Sequence, residues 1–131
     1  DMTFMLQKEV VERIVAPPGS KTYGRLSVVI QAFFDTELMF IVPKESFNPQ
    51  PKIESAILYL KTKSRPLVQD LKPLEEIVKL AFSQRRKTLK NCLKSVLDQS
   101  QTDIDLSQRA EMLSLDNFVT LMNDYEKQYR N

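Results

Sequence analysis

The apolar pattern of this chain changes period once, between residues 61 and 72, and that change limits the folds open to it. Before it, short strand-like runs alternate with helical ones; after it, the apolar residues recur at helical spacing throughout. Thr3–Gln7 reads as a short buried strand. Lys8–Val15 (KEVVERIV) reads as a helix, stopped by Pro17, Pro18 and Gly19. Leu26, Val29, Ile30, Phe33 and Phe34 fall at i, i+3, i+4, i+7 and i+8, which makes one apolar helical stripe. Thr36–Val42 (TELMFIV) and Glu54–Lys61 (ESAILYLK) read as two further strands joined by a proline-bearing loop. The order strand, helices, strand, strand predicts the end of an α/β sheet.

Beyond the polar stretch KTKSRPLVQD the expectation is a small all-α domain. Pro73 suits the first turn of a helix, with Glu75 and Glu76 near its positive end. Leu74, Ile77, Val78, Ala81 and Phe82 form its stripe, and Leu89, Cys92, Leu93, Val96 and Leu97 form a second. Asp105 followed by Gln108 resembles a capping box. Ser114 is placed to cap a last helix with the stripe Leu115, Phe118, Val119, Met122 and Tyr125. The division expected is residues 1–63 as the α/β part and 64–131 as the helical part.

Composition excludes several chemistries. With 131 residues, no histidine and Cys92 as the lone cysteine, the chain cannot form an internal disulfide and makes a poor zinc site. A serine–histidine or cysteine–histidine catalytic pair is impossible within it. No apolar run approaches the ~20 residues of a membrane span, and the cysteine usage fits a cytoplasmic or organelle-matrix setting. The chain opens on Asp1 and enters a strand almost at once, so it reads as a piece of a longer protein. An unpartnered strand at 3–7 then predicts self-association through its open edge.

Charge is unevenly placed around a net of +2. Ile77 to Leu97 holds six basic residues and no acidic one, whereas seven acidic residues face three basic ones from Asp98 onward. On a helical wheel Arg86, Lys87, Lys90 and Lys94 share one arc, opposite Leu89, Cys92, Leu93 and Val96. A cationic face without carboxylates at i,i+4 is not self-neutralised, and phosphate backbones are its commonest polyanionic partner. Arg85 would point toward the apolar stripe on a continuous helix. It reads as a structural arginine: either the helix breaks near Ser83–Gln84, or a carboxylate holds the guanidinium. The loop PPGSKTYGRL adds Lys21, Tyr23 and Arg25, two charges and a ring that suit RNA contact as well as a plain surface loop.

The loop FNPQPKIES places Phe47 beside Pro49 and Pro51, which fix their own φ and bias Asn48 and Gln50 toward extended backbone. If Thr36–Val42 runs parallel to Thr3–Gln7, its carboxyl end opens on the ligand face of an α/β sheet, and Phe47 hangs over that face.

Three stretches in order, QKEVVERIVAPPGSKTYGRLSV, FIVPKESFNPQPKIESAI and FSQRRKTLKN, resemble the C-terminal half of the small-subunit ribosomal RNA adenine dimethyltransferases. The second motif is shared with the erythromycin-resistance methyltransferases; the third resembles the ribosome-biogenesis branch. The resemblance implies the last three strands and two helices of a Rossmann-like methyltransferase sheet, with the final strand antiparallel between the other two, followed by the small all-α domain. It implies S-adenosylmethionine as methyl donor, bound by a missing N-terminal half that carries the glycine-rich loop, the ribose-binding acid and the N-x-P-Y/F motif. It implies small-subunit rRNA as partner; composition adds the expectation of no metal and no membrane. In that family the phenylalanine at the position of Phe47 stacks on the target adenine. Glu9, Glu12 and Glu54 read as solvated or structural acids. Other readings are a non-catalytic RNA-binding or ribosome-assembly module of the same ancestry, and a resistance-type large-subunit rRNA methyltransferase.

Overall fold

Pairing of every strand with the last one defines the sheet. The computed structural model describes residues 1–129. In it β1 (Met2–Gln7) and β2 (Phe34–Val42) flank β3 (Ser55–Thr62), in the order β1-β3-β2. Both outer strands run antiparallel to β3 and therefore parallel to each other. Ser55 lies opposite both Gln7 and Val42, so the carboxyl ends of β1 and β2 meet at the start of β3. Met39 is an extra residue between the Leu38–Leu58 and Phe40–Ile57 pairs, a bulge that leaves its side chain exposed.

Alternation along β3 decides which face is covered. Ala56, Leu58 and Leu60 are buried with Val11 and Ile14 of α1 (Lys8–Val15), and Ile30, Phe34 and Leu38 close the same cluster. Directly paired residues share a face, so Met5, Ile57 and Phe40 lie on the opposite one. There Met5 is 55% and Phe40 57% exposed. Against the expected buried strand, all six residues of β1 are exposed. The strand is apolar, but it pairs on one side only and no described helix covers it.

The larger cluster is built differently. It gathers Leu74, Ile77, Val78 and Ala81 of α3 (Leu71–Ala81), Leu89 and Leu93 of α4 (Leu89–Leu93), and Phe118, Leu121 and Met122 of α5 (Leu115–Tyr129). Pro73 stands at the third position of α3, where a missing N–H costs no helical bond. Ser114 Oγ accepts from the Asn117 amide at 3.1 Å, the expected cap of α5. Ala16, Tyr23, Val28 and Ala32 complete this cluster from the first part of the chain. The helical segment therefore closes its core with residues that precede β2.

Three local expectations are corrected. The helix α2 is short, Arg25–Gln31, because the chain turns at Ala32–Phe33 and enters β2 at Phe34. Ser27 and Val28 are its buried residues and Leu26 is exposed, so the stripe through Leu26 does not face one core; Val29 and Phe33 lean on the larger cluster, Ile30 and Phe34 on the smaller. Asp105 caps no helix: its Oδ1 accepts from the Ser107 amide at 2.9 Å and the Ser107 hydroxyl at 2.6 Å, a local turn. A capping box does occur at Asp98 and Gln101, on a single 3₁₀ turn.

Candidate functional site

The loop between β2 and β3 begins where β2 ends at Val42, level with Gln7 across Ser55. Pro43 leads into one 3₁₀ turn, Lys44–Ser46, and the Phe47 amide closes it on the Lys44 carbonyl at 3.2 Å. Phe47 then continues in extended backbone, φ −108° and ψ 150°, and the Asn48–Pro49 peptide is cis. The Phe47 ring is half-buried and belongs to neither hydrophobic cluster. Lys44 and Lys52 from the two limbs of this loop line a cleft of about 460 Å³ with Gln7, Lys8, Glu9 and Glu54. Lys8 spans it, its amide donating to the Glu54 carbonyl at 3.0 Å and its ammonium 3.6 Å from the Glu54 carboxylate. Glu9 pairs with Arg13 at 3.5 Å. These two acids are tied to cations at the surface, within their reading as solvated or structural. Neither Lys44 nor Lys52 has a carboxylate within 4.0 Å among the described residues. Sequence reasoning passes over both, although their places on either side of Phe47 are visible in it.

The basic segment is not one helix. The carboxyl end of α3 is closed by the Phe82 amide on the Val78 carbonyl at 3.1 Å and the Ser83 hydroxyl on the Leu80 carbonyl at 2.6 Å. A turn follows, with the Lys87 amide on the Gln84 carbonyl at 3.0 Å, and α4 starts at Leu89. The Leu89 and Lys90 amides donate to the Gln108 and Leu106 carbonyls, at 2.9 and 2.8 Å, so this short helix is docked on the 106–108 segment. Arg86 and Lys87 project from the turn, Lys90 from α4 and Lys94 from just beyond it. All four are exposed, and none has a carboxylate within 4.0 Å among the described residues.

The helix break also answers what holds Arg85. Its Nη2 donates to the Lys21 carbonyl and lies 3.4 Å from the Tyr23 carbonyl. Peptide oxygens hold the guanidinium, not a carboxylate, and the side chain stays at the surface. Lys21 is exposed on the tethered loop, and Arg25 is exposed as the first residue of α2. Tyr23 is not available for RNA contact, contrary to the expectation: it is 0% exposed, its hydroxyl donates to the Leu113 carbonyl at 2.8 Å, and its ring meets Phe82 edge-on at 6.1 Å. Burial pushes its phenol pKa well up. Nothing in the sequence separates a loop tyrosine that stacks on a ligand from one that anchors the loop.

The antiparallel strand set between two parallel ones, with a proline-bracketed aromatic at their carboxyl ends, marks the end of a methyltransferase-type α/β sheet. The crystal structure of a dimethyladenosine transferase from Plasmodium falciparum superposes with a TM-score of 0.81 at 22% identity, over 96% of this chain and 57% of that one. That of the 23S rRNA methyltransferase ErmE superposes with a TM-score of 0.67 at 19% identity, over 95% and 54%. Both are likenesses of fold. The family model described as ribosomal RNA adenine dimethylase matches residues 1–127, and the chain belongs to that family. Ribosomal RNA small subunit methyltransferase A of Francisella tularensis subsp. novicida (strain U112) is 54% identical over 129 residues, covering 94% of this chain and 49% of that protein. Its counterpart in F. tularensis subsp. tularensis (strain SCHU S4 / Schu 4) is 53% identical over the same span. The chain thus spans about half the length of the curated relatives it matches.

Proposed function

We propose that the chain is the substrate-facing, C-terminal half of an enzyme that transfers methyl groups from S-adenosylmethionine to the 6-amino groups of adjacent adenines in small-subunit ribosomal RNA. The observation that carries this reading is the setting of Phe47: a half-buried ring outside both cores, in a loop at the carboxyl ends of two parallel strands. An adenine turned out of its stack needs a flat apolar surface at a constant height, and Phe47 supplies one. Its contribution is orientation of the base, so that the amine meets the methyl donor in line.

The two glycines, Gly19 and Gly24, lie on the loop between α1 and α2, and β1 passes into α1 at Gln7–Lys8 with no glycine-rich turn. In this proposal S-adenosylmethionine is held by the other half of the protein, and no bond-making step runs through this chain. Arg86, Lys87, Lys90 and Lys94, with Lys21 and Arg25, hold RNA phosphates. Residues 64–131 serve as the RNA-docking part and residues 1–63 complete the methyltransferase sheet. The open edge of β1 favours pairing between copies of the isolated chain.

The test is single-turnover methylation of pre-assembled small subunits by a full-length protein carrying this sequence, with Phe47→Ala, Phe47→Leu and Phe47→Tyr. Activity falling in the order Tyr, Leu, Ala with cofactor affinity unchanged supports stacking. Equal activity of all three would remove it.

A further inference from the structure

We propose that Arg85 is a positioning residue that latches the Lys21–Tyr23 loop to the turn carrying Arg86 and Lys87, and so joins two basic segments into one phosphate-binding track. The inference rests on the RNA reading above and extends it to a residue and a cleft that reading does not use. Between α1, the loop before α2 and the turn after α3 lies a cleft of about 530 Å³, lined by Arg13, Lys21, Arg25 and Arg85 beside Leu26 and Phe82. The carboxylate on its wall, Glu9, is already paired with Arg13 at 3.5 Å. Lys21 and Arg25 have no carboxylate within 4.0 Å among the described residues. Cations gathered round one cleft repel each other, and beyond Glu9 no carboxylate among the described residues lines the cleft to offset that repulsion.

The loop is fixed to the helical core from within. Tyr23 donates to Leu113, and the Gly19 amide donates to the Glu111 carbonyl at 2.7 Å. Its outer side carries Lys21 and Thr22, both exposed, and there Arg85 reaches across 62 and 64 residues of sequence to two carbonyls. Arg85 adjoins Arg86 and Lys87 in sequence, so the tether brings the Lys21 peptide to the turn that carries them. Both carbonyls face the one Nη2, whose two N–H groups are fixed in the guanidinium plane; a lysine ammonium turns freely on a shorter stem and lacks that fixed direction. A run of phosphates fits a row of cations that starts on the turn and continues into the cleft.

The experiment uses a full-length protein carrying this sequence and a single-stranded RNA oligonucleotide with two adjacent adenines. Fluorescence anisotropy is followed across a salt series, and amide hydrogen exchange is measured on the free protein. The double variant K21Q/R25Q should flatten the log–log salt slope by ~1.4, because two phosphates are no longer neutralised, with wild-type exchange at the Tyr23 and Gly24 amides. R85K keeps the charge but loses the reach and fixed direction of Nη2; it should flatten the slope and speed exchange at those amides. R85K with wild-type slope and wild-type exchange overturns the latch. An unchanged slope in K21Q/R25Q, with a reduced one in R86Q/K87Q, empties the cleft and leaves the RNA reading standing. Wild-type protein that binds the oligonucleotide without salt dependence ends both. Polyglutamate displacing the probe as well as unlabelled RNA does would make the surface a general acid-binding one and overturn the phosphate track.

Discussion

Phe47 and Tyr23 are both rings on short loops near a helix end, and they finish in opposite surroundings. Tyr23 is sealed between Phe82 and the Leu113 carbonyl, whereas Phe47 lies outside both clusters. Truncation separates the two. Phe47→Ala should lose roughly 1–3 kcal/mol of adenine positioning, the scale of a base–aromatic stack. Its melting temperature should fall less than that of Phe118→Ala, since a core phenylalanine cut to alanine costs about 3–5 kcal/mol. Thermal melts of both variants, beside single-turnover methylation for Phe47→Ala, check this. Tyr23 also carries a pH dependence. Its phenol is raised by burial, so the folded state favours the protonated form. That contribution is complete below pH about 10 and is lost as pH rises through the folded pKa. Tyr23→Phe should weaken the protein by about 1 kcal/mol at neutral pH, from the bond to Leu113, and should remove part of its alkaline instability. Urea midpoints at pH 7 and above pH 10 measure both effects.

Among the elements, α4 and β1 depend most on what lies beside them. With five residues, α4 is too short to stand alone, and it persists because Leu89, Cys92 and Leu93 are buried and its first amides are bonded to the 106–108 segment. Its cations thus sit on a braced surface. Changing Arg86, Lys87, Lys90 and Lys94 to glutamine should flatten the salt dependence of RNA binding by ~0.7–0.9 log units for each phosphate left unneutralised, with little change in melting temperature. A slope equal to wild type would make this a solvated face only. β1 presents the contrary case, an apolar strand with one row of backbone groups unpaired by any described strand. Sedimentation of the isolated chain should show mass rising with concentration, and Met5→Lys should suppress it. A monomer throughout the range would count against edge pairing.

For the molecule as a whole, cofactor affinity should be absent or weak. Titration calorimetry of the chain with S-adenosylmethionine should give no micromolar site, because the direct strand-to-helix passage, β1 into α1 at Gln7–Lys8, contains no glycine. The larger cluster also makes a prediction about cutting. Residues 64–131 expressed alone would leave the sites of Ala16, Tyr23, Val28 and Ala32 empty, and should melt with less cooperativity than the intact chain.

Local rules are sufficient for much of this. Lys8–Val15 is a helix with the predicted bounds, Ser114 caps α5, and Leu74, Ile77, Val78 and Ala81 are buried as their spacing requires. Such features depend on residues within a turn or two of each other. The place of β3 between the outer strands follows from family resemblance rather than from its own residues, and pairing bears it out. Other features are beyond either source. The break after Ala81 is one of two options the sequence leaves for Arg85, and the surface carbonyls that receive its guanidinium lie more than sixty residues away. Tyr23 becomes core because Leu113 offers a carbonyl and Phe82 a ring edge at that point. Hydrophobic period and capping chemistry act over a few residues and can be read along the chain. Which groups meet across long separations is decided only when the helical segment folds back over α2: burial of Tyr23 and the tether at Arg85 follow from that closure, and exposure of β1 follows from its place at the edge of the sheet.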